Sequence, residues 1–318
     1  MRPCPPAPPA AQHPPNGDGL IALIALNILS ALEESGKLAF PASPAAAAGG
    51  PGGLKTADEL HAVVESLRIA FADGQRIISD PERRPFAEYV HRLLSKEHAE
   101  ERAGHICMER RGTDPEIFGS PSASSNTVSF NVIDGDGNAV SAVNSNYMGF
   151  GSCLVPRGTG FTLQNRGHNF LLDEEHPNGL RAGGLRPFHT IIPCLLTNAA
   201  DGSLYSSLTN MGGFMQPQAH VQHILNLTRH SLDPQSSCDA PRVRISVGSA
   251  GQEDVVSVER GFDRGVLEDL RRRGHALQEA NDGKAEWGFG KAQVLVRTKE
   301  GVLWGGSDPR ADGCAMGF

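Results

Sequence analysis

The sequence predicts an α+β fold, with helices concentrated before residue 126 and strands after residue 127. In the N-terminal part, apolar residues recur at helical spacing, as between Leu60 and Phe71. After residue 127 the chain changes to short alternating or apolar runs separated by glycine-rich turns. Strand runs are predicted at 128–133, 139–143, 190–196, 255–258 and 292–296, with helices at 216–228 and 264–273. Hairpin-paired strands with helices before and between them are expected to pack as layers.

The first predicted helix begins at Leu20 and ends near Gly36, where glycine can adopt the left-handed conformation of a C-cap. Residues 1–19 before it form a polar, proline-rich lead. The apolar stretch from Leu20 to Leu32 has thirteen residues, which is too short to cross a bilayer. No membrane association is therefore expected. Because the proline-rich start also makes a poor signal peptide, a cytoplasmic location is expected.

Two more helices and two irregular segments complete the predicted N-terminal part. Residues 41–53 have the composition of a low-complexity insertion. Thr56 and Glu59 form a capping box that starts a helix. A charged helix is predicted from Pro85 to Arg102, and residues 112–126, which show no periodicity, are predicted to form a loop.

A β-hairpin is predicted immediately after this loop. Val128, Phe130 and Val132 share one side of its first strand, and Gly135 and Gly137 are expected to supply the positive φ of the turn. The strand opens on Thr127, a residue type that is common at strand starts for its β-propensity alone. If the chain is cut before it, its α-amine titrates near about 8 and lies within reach of its own hydroxyl. Thr127 is therefore a candidate nucleophile that carries its own base.

Charge and cysteine usage argue against several other functions. The chain has 29 basic and 36 acidic residues, a net charge of −7 and few aromatic residues, so nucleic-acid binding is not indicated. Its 6 cysteines show no CxxC or ligand spacing and are expected to be reduced thiols. His220 and His223 lack the carboxylate or cysteine partners of a metal site, so no metal is expected.

The segment from Asn126 to Val143 resembles the start of the small subunit of the γ-glutamyltransferase family, and residues 14–29 (PPNGDGLIALIALNIL) resemble the end of its large subunit. Members are N-terminal-nucleophile (Ntn) hydrolases that cut themselves before a threonine and use no cofactor. The resemblance implies a four-layer αββα sandwich, incomplete on the large-subunit side because the family's large subunit is longer. Residues 1–126 would be the C-terminal remnant of the large subunit and residues 127–318 the small catalytic subunit. The expected assembly is a homodimer of processed heterodimers that acts on a small γ-glutamyl or amide substrate.

The same resemblance implies roles for individual residues. Thr127 would be the nucleophile and Asn126–Thr127 the cleaved bond, while the hydroxyl of Ser145 would assist the nucleophile. Gly212 and Gly213 would supply backbone N–H groups to the oxyanion, because residues without side chains allow close approach of a substrate. The substrate-contacting positions would be Tyr147, Asn165, Arg166, Asn169, Arg186, His189 and Thr190.

Several positions differ from the glutathione-cleaving members of the family. Those members carry an acidic residue, which holds the substrate's α-ammonium, where Asn169 stands. They carry asparagine at Tyr147 and serines at His189 and Thr190. The segments NSNYMGFGS, LQNRG and RPFHTIIP are similar instead to the branch that contains oxamate amidohydrolase. The alternatives to γ-glutamyl chemistry are therefore an oxamate-type amidohydrolase or an inactive truncated homologue that only binds a partner.

Overall fold

The computed structural model of the chain describes residues 10–12, 16–40, 52–83, 86–112, 126–246, 255–280 and 286–318. These residues form seven α-helices and ten β-strands. The helices are α1 (Gly19–Glu34), α2 (Ala57–Gln75), α3 (Phe86–Leu93), α4 (Lys96–His105), α5 (Met215–Thr228), α6 (Pro234–Asp239) and α7 (Arg264–Arg272). The strands are β1 (Ala10–Gln12), β2 (Asn126–Ile133), β3 (Ala139–Tyr147), β4 (Pro193–Thr197), β5 (Leu204–Met211), β6 (Val243–Ser246), β7 (Val255–Val258), β8 (Ala276–Glu279), β9 (Lys291–Arg297) and β10 (Leu303–Ser307). No helix among the described residues is long and apolar enough to span a membrane.

Helix α1 ends as the sequence predicts, and helix α2 begins as it predicts. Gly36 follows α1 with φ +76°. At the start of α2, Thr56 Oγ1 accepts the N–H of Glu59 at 3.1 Å, and the Glu59 carboxylate accepts the N–H of Thr56 at 3.0 Å. Both helices bury their apolar sides in one core cluster that also contains residues of β6, β7 and α7. Residues from both sides of the predicted subunit boundary therefore share one core.

The prediction of a single helix from Pro85 to Arg102 is wrong, because the chain forms two helices there. Helix α3 ends at Leu93 and α4 begins at Lys96. Ser95 Oγ accepts the N–H of His98 at 3.2 Å, so this serine caps the second helix instead of continuing the first. Pro85, residues 41–51 of the predicted insertion and residues 113–125 of the predicted loop lie outside the described residues.

A five-stranded antiparallel sheet, in the order β1-β4-β5-β9-β10, forms the centre of the C-terminal part. Because side chains alternate along a strand, β5 presents two different faces. Leu208 packs with Ile224 and Leu227 of α5 on one face. On the other face, Ser207 and Thr209 contact the β2–β3 hairpin. Helix, sheet and hairpin thus form three layers, which confirms the predicted mixture of helix and sheet; a complete four-layer sandwich stays a prediction. A smaller sheet, β6-β7-β8, lies beside them.

Hydrogen bonds between polar side chains join the hairpin to the sheet. Ser207 Oγ donates to Asn131 Oδ1 at 2.8 Å, and Asn131 Nδ2 donates to Thr209 Oγ1 at 3.3 Å. Ser141 Oγ of β3 donates to the Leu208 carbonyl at 3.1 Å. The side of β2 that carries Thr127 and Asn131 therefore faces the sheet.

The opposite side of β2 is apolar and open to solvent. Val128, Phe130 and Val132 share this side as predicted, and they are 65%, 55% and 51% exposed. At the hairpin turn, Asp134 N–H donates to the Asn138 carbonyl at 3.0 Å. Gly137 has φ +85°, but Gly135 does not have a positive φ, so that part of the prediction is wrong.

Candidate active site

Thr127 lies on the side of β2 that faces the sheet, and its side chain is buried. Its Oγ1 donates a hydrogen bond to Ser145 Oγ at 2.9 Å. The hairpin explains this contact, because Thr127 and Ser145 are partners in the register of β2 and β3. The structure thus brings together the predicted nucleophile and the hydroxyl predicted to assist it.

The peptide bond predicted to be cleaved lies at an irregularity of the hairpin. Asn126 pairs with Tyr147 while Thr127 pairs with Ser145, so the register shifts between the two residues. Such β-bulges are common next to active sites. Tyr147 has φ +75°, in a region that a bulky residue rarely adopts, and its N–H donates to Ser145 Oγ at 2.9 Å. An unusual backbone therefore surrounds the hydroxyl pair on both strands.

Gly212 and Gly213 connect the end of β5 to the start of α5. Their φ values are +135° and +58°, which favour glycine. A Cβ at Gly212 would lie 3.0 Å from the Cα of Gly290, so this position has no room for a side chain. Among the described residues, no acceptor receives the N–H of either glycine. Two unpaired N–H groups at the start of a helix are suited to hold an anionic oxygen.

Arg166 is buried and joins two other predicted substrate-contacting residues. Its Nη1 donates to Thr190 Oγ1 at 2.8 Å. Its guanidinium carbon lies 5.1 Å from the ring centroid of Tyr147, which is a cation–π contact. Burial lowers the pKa of Arg166, against the attraction of the Asp18 charge. Burial raises the pKa of Tyr147 to about 12, so its hydroxyl stays protonated at neutral pH.

Asn165 and Asn169, both predicted to contact the substrate, form hydrogen bonds with backbone groups. Asn165 Nδ2 donates to the carbonyls of Met148 and Gly151 at 3.3 and 3.1 Å, while its Oδ1 accepts the N–H of Met148 at 3.0 Å. Asn169 Nδ2 donates to the Phe188 carbonyl at 3.0 Å, and its buried Oδ1 has no partner in the described structure. Asn165 therefore shapes the turn after β3, whereas Asn169 retains an unused acceptor.

Arg186 and His189 lie on the segment that leads into Thr190. Arg186 is exposed, and its backbone N–H donates to Asp80 Oδ2 at 2.7 Å. His189 forms a backbone bridge with Gly17. Burial, with the charge of Arg166 second, lowers the pKa of His189 to about 3, so the ring is neutral at physiological pH.

Asp18 is a residue of this region that the sequence pattern did not single out. It is fully buried immediately before α1, and its backbone N–H donates to the His189 carbonyl at 2.9 Å. Burial raises the pKa of Asp18 well above its usual range, against the attraction of the Arg166 charge, and the ionised form of Asp18 acts on both Arg166 and Tyr147. The signal available in the sequence was an acidic residue between Gly17 and Gly19 in the segment that resembles the family.

Neither metal clusters nor disulfides occur in the described part of the chain. No group of three or more His, Cys, Asp or Glu side chains is placed there to hold a metal ion. The described cysteines are all unpaired: Cys107, Cys153, Cys194, Cys238 and Cys314. The candidate site therefore has to be interpreted from hydroxyl, amide, guanidinium and carboxylate groups.

The sequence model of the gamma-glutamyltranspeptidase family matches residues 10–318. The chain belongs to this family. It is 33% identical over 260 residues to the glutathione hydrolase-like YwrD proenzyme of Bacillus subtilis, covering 81% of this chain and 47% of that protein. It is 32% identical over 263 residues to the oxamate amidohydrolase proenzyme of Klebsiella pneumoniae, covering 82% and 48%. The chain thus spans about half the length of the curated relatives it matches.

Solved structures agree with this family assignment. The crystal structure of cephalosporin acylase from Bacillus halodurans superposes with a TM-score of 0.75 at 37% identity, covering 96% of this chain and 50% of that one. The resemblance seen in the sequence is therefore confirmed at the level of family and of mixed helix-and-sheet fold.

Proposed function

We propose that this member of the gamma-glutamyltranspeptidase family cuts itself before Thr127 and then uses the new N-terminal threonine to cleave a small amide. The observation that carries the proposal is the Thr127–Ser145 hydroxyl contact of 2.9 Å, next to a register shift at the Asn126–Thr127 bond. A threonine with a hydroxyl partner, at a distorted strand start, has the parts that an intramolecular acyl shift needs.

Self-cleavage would begin with attack of Thr127 Oγ1 on the carbonyl carbon of Asn126. The C–N bond breaks, the Oγ1 proton ends on the departing nitrogen, and an ester joins Asn126 to Thr127 Oγ1. Water then hydrolyses this ester, which leaves a carboxylate on Asn126 and a free α-amine on Thr127. Ser145 Oγ, which accepts a hydrogen bond from the nucleophile, would orient it for this attack.

Turnover would use the same oxygen with the freed α-amine as its base. Thr127 Oγ1 attacks the substrate's amide carbonyl, its proton passes to the α-amine and then to the leaving amine, and an acyl-threonine forms. Water or an acceptor amine next takes the acyl group and returns the proton to complete the cycle. The unpaired N–H groups of Gly212 and Gly213 would stabilise the oxyanion, an interaction whose loss typically slows catalysis about 100- to 1000-fold.

For the substrate we propose a γ-glutamyl compound such as glutathione, or a related small amide. Relatives named glutathione hydrolase and glutathione hydrolase-like support this class. Oxamate is the second candidate, because Asn169 presents a neutral amide where an acidic residue would hold an ammonium, and an oxamate amidohydrolase is among the relatives. A partner-binding protein without activity is the remaining alternative, and self-cleavage distinguishes it.

Assembly and location complete the proposal. Fragments 1–126 and 127–318 would remain associated after cleavage, because α1, α2, α5 and α7 share one apolar core. Association of two such pairs as a homodimer follows only from the resemblance, and a cytoplasmic location stays a proposal. Light scattering of the cleaved protein would measure the assembly directly.

The test is a denaturing gel with intact mass spectrometry on the wild type and three variants. Wild type and Thr127→Ser should each give two fragments, one beginning at residue 127, because both carry a hydroxyl nucleophile. Thr127→Ala should stay intact. Thr159→Ala, which removes an exposed hydroxyl elsewhere, should cleave like the wild type. A wild-type chain that stays in one piece, or a Thr127→Ala chain that is cut at the same bond, would contradict the proposal.

A further inference from the structure

Asn210 is a fully buried residue of β5 that directly precedes the Met211–Gly212 peptide bond. Its Nδ2 donates a hydrogen bond to the Met211 carbonyl at 2.8 Å. Its buried Oδ1 has no hydrogen-bond partner in the described structure. Because a buried acceptor without a partner destabilises a fold, stability alone would favour an apolar side chain of similar size at this position. The asparagine therefore calls for an explanation other than stability.

The bond from Asn210 to Met211 fixes the direction of the next backbone N–H group. A trans peptide bond is planar, and its C=O and N–H groups point in opposite directions. A Met211 carbonyl held towards the Asn210 side chain therefore directs the N–H of Gly212 to the opposite side. The Asn210 amide cannot be turned over here, because its Oδ1 would then face the Met211 carbonyl without a hydrogen between the two acceptors. The side chain thus selects one orientation of the Met211–Gly212 peptide.

The Gly212 N–H is directed to the side of the sheet on which Thr127 lies. Side chains alternate along β5, so Asn210 is on the same face as Leu208, which packs with α5. Ala292, the register partner of Asn210 on β9, belongs to the same apolar cluster. The other face of β5 contacts the hairpin, through the side of β2 that carries Thr127. An oxyanion formed by attack of Thr127 on a substrate would therefore develop on the side to which the Gly212 N–H points.

Gly290 leaves the space that the bond between Asn210 and Met211 occupies. A Cβ at Gly290 would collide with Asn210 Nδ2 and with the Met211 carbonyl oxygen. Gly290 has φ +74°, and its own carbonyl accepts a hydrogen bond from Arg242 Nη1 at 3.3 Å. The bond is thus enclosed between the end of β5 and the start of β9, where a hydrogen bond is stronger than in water.

We propose that Asn210 is a positioning residue for Gly212, one of the two proposed oxyanion donors. By holding the Met211 carbonyl, Asn210 keeps the Gly212 N–H directed at the substrate before the reaction begins, so that no reorientation is needed as charge develops. Asn210 itself contacts neither the substrate nor Thr127. The inference rests on the proposed amide cleavage and deepens it, because it assigns the orientation of an oxyanion donor to a side chain behind the glycine turn.

Replacement of Asn210 by leucine removes the donor and keeps a similar side-chain volume. The probe is γ-glutamyl-p-nitroanilide, or oxamate if the wild type does not cleave the anilide, and rates are expressed per chain with a free Thr127 amine. We expect kcat to fall roughly 10- to 100-fold with KM unchanged, because a misdirected N–H weakens an interaction made only in the transition state. Tm should stay close to that of the wild type, since leucine also removes an unpaired acceptor.

Gln222→Leu is the matched control, because it removes a buried amide whose two ends are both bonded. Gln222 Nε2 donates to the Val243 carbonyl at 2.9 Å, and its Oε1 accepts the Val243 N–H at 2.9 Å. This variant should lose Tm and keep kcat, which is the reverse of the result expected for Asn210→Leu. Asn210→Ala, which lacks the donor and cannot overfill the site, should lose kcat as Asn210→Leu does. A wild-type kcat in Asn210→Ala, or a loss of Tm without a loss of kcat in Asn210→Leu, would overturn the assignment.

Crystal structures of the wild type and of Asn210→Leu separate this inference from the proposed cleavage, because they require no turnover. The Met211 carbonyl should point to Asn210 in the wild type, and the Met211–Gly212 peptide should rotate or adopt more than one orientation in the variant. An unchanged peptide in Asn210→Leu would overturn the inference even if Thr127 proves to be the nucleophile. A rotated peptide in a chain that never cuts itself would support the role of Asn210 in the turn and contradict only the proposed cleavage.

Discussion

Replacing Asp308 by alanine would remove the centre of a buried charge cluster behind the Gly212 turn. Asp308 Oδ2 accepts hydrogen bonds from Arg242 Nη2 at 2.5 Å and from the Ala292 N–H at 2.8 Å, and its Oδ1 accepts one from Arg310 Nη1 at 3.0 Å. Arg242 in turn donates through Nη1 to the carbonyl of Gly290 at 3.3 Å. Gly290 packs directly against Gly212. The cluster therefore supports the turn that carries the proposed oxyanion donors.

The loss of stability in Asp308→Ala depends on which charged side chains lose their partner. Burial by itself would favour the protonated form of Asp308, but the charges of Arg242 and Arg310 outweigh it and lower the pKa, so a carboxylate is present at neutral pH. Without it, Arg310 still pairs with Glu259 at 2.6 Å, whereas the buried Arg242 keeps only carbonyl acceptors. One orphaned buried charge typically costs about 3–5 kcal/mol. At about 2–4 °C per kcal/mol, Tm should fall by roughly 6–20 °C.

Thermal melts and urea unfolding of Asp308→Ala, beside Asp136→Ala, would measure this loss. Asp136 lies exposed in the hairpin turn, so its replacement should stay within about 0.5 kcal/mol of the wild type. Self-cleavage of Asp308→Ala should also slow, because Arg242 loses the carboxylate that anchors it and then holds the Gly290 carbonyl less firmly. A Tm shift for Asp308→Ala no larger than that of Asp136→Ala would refute the assignment of the cluster as a buried support.

Two further perturbations test the glycine turn and the buried histidines. Gly212→Ala should lose amide cleavage and about 1–3 kcal/mol of stability, because its φ is +135° and a Cβ would meet Gly290. The control is Gly202→Ala, which has φ +72° and open space around its Cβ and should keep full activity. Equal activity of the two variants on any cleaved substrate would contradict the proposed role of Gly212 as an oxyanion donor. Burial, then the charges of His61 and Arg68, lowers the pKa of His275 from its ordinary 6.5 to about 3. The unfolded chain therefore takes up the proton first, so this contribution to stability is present above pH 6.5 and is lost as the pH falls towards 3. In urea unfolding, the free energy of unfolding of the wild type should fall by on the order of 2 kcal/mol between pH 7 and pH 5, and His275→Asn should lack this loss. An identical pH dependence in the variant would contradict the assignment to His275.

The sequence was most informative where structure depends on residues close together in the chain. The capping box of Thr56 and Glu59 and the left-handed Gly36 require only their own helix ends, and both occur as predicted. The bounds predicted for α5 and α7 differ from the observed ones by a single residue. Local hydrogen bonding also explains the error between Pro85 and Arg102, where a cap at Ser95 competed with helix continuation.

Elements whose pattern depends on distant partners were missed or only partly understood. Strand β5 was not predicted, because its buried Ser206, Ser207 and Thr209 are polar and satisfy their hydrogen bonds across to β9 and to the hairpin. Periodicity identified the apolar side of β2, but it could not show that this side faces outward. The sheet decided that, because Asn131 finds its partners on β5 and β9.

The family, the candidate nucleophile and the hairpin that carries it could be predicted from the sequence, because the pattern around Thr127 is continuous in the chain. The contact with Ser145 follows from that same hairpin register. The residues that surround this hydroxyl pair could be identified only from the fold. Asp18 reaches Arg166 and Tyr147 because the start of α1 pairs through Gly17 with His189, and Arg166 reaches Thr190 from a separate loop. These charged side chains lie close together because distant parts of the chain pack there, and no local spacing of residues predicts that packing.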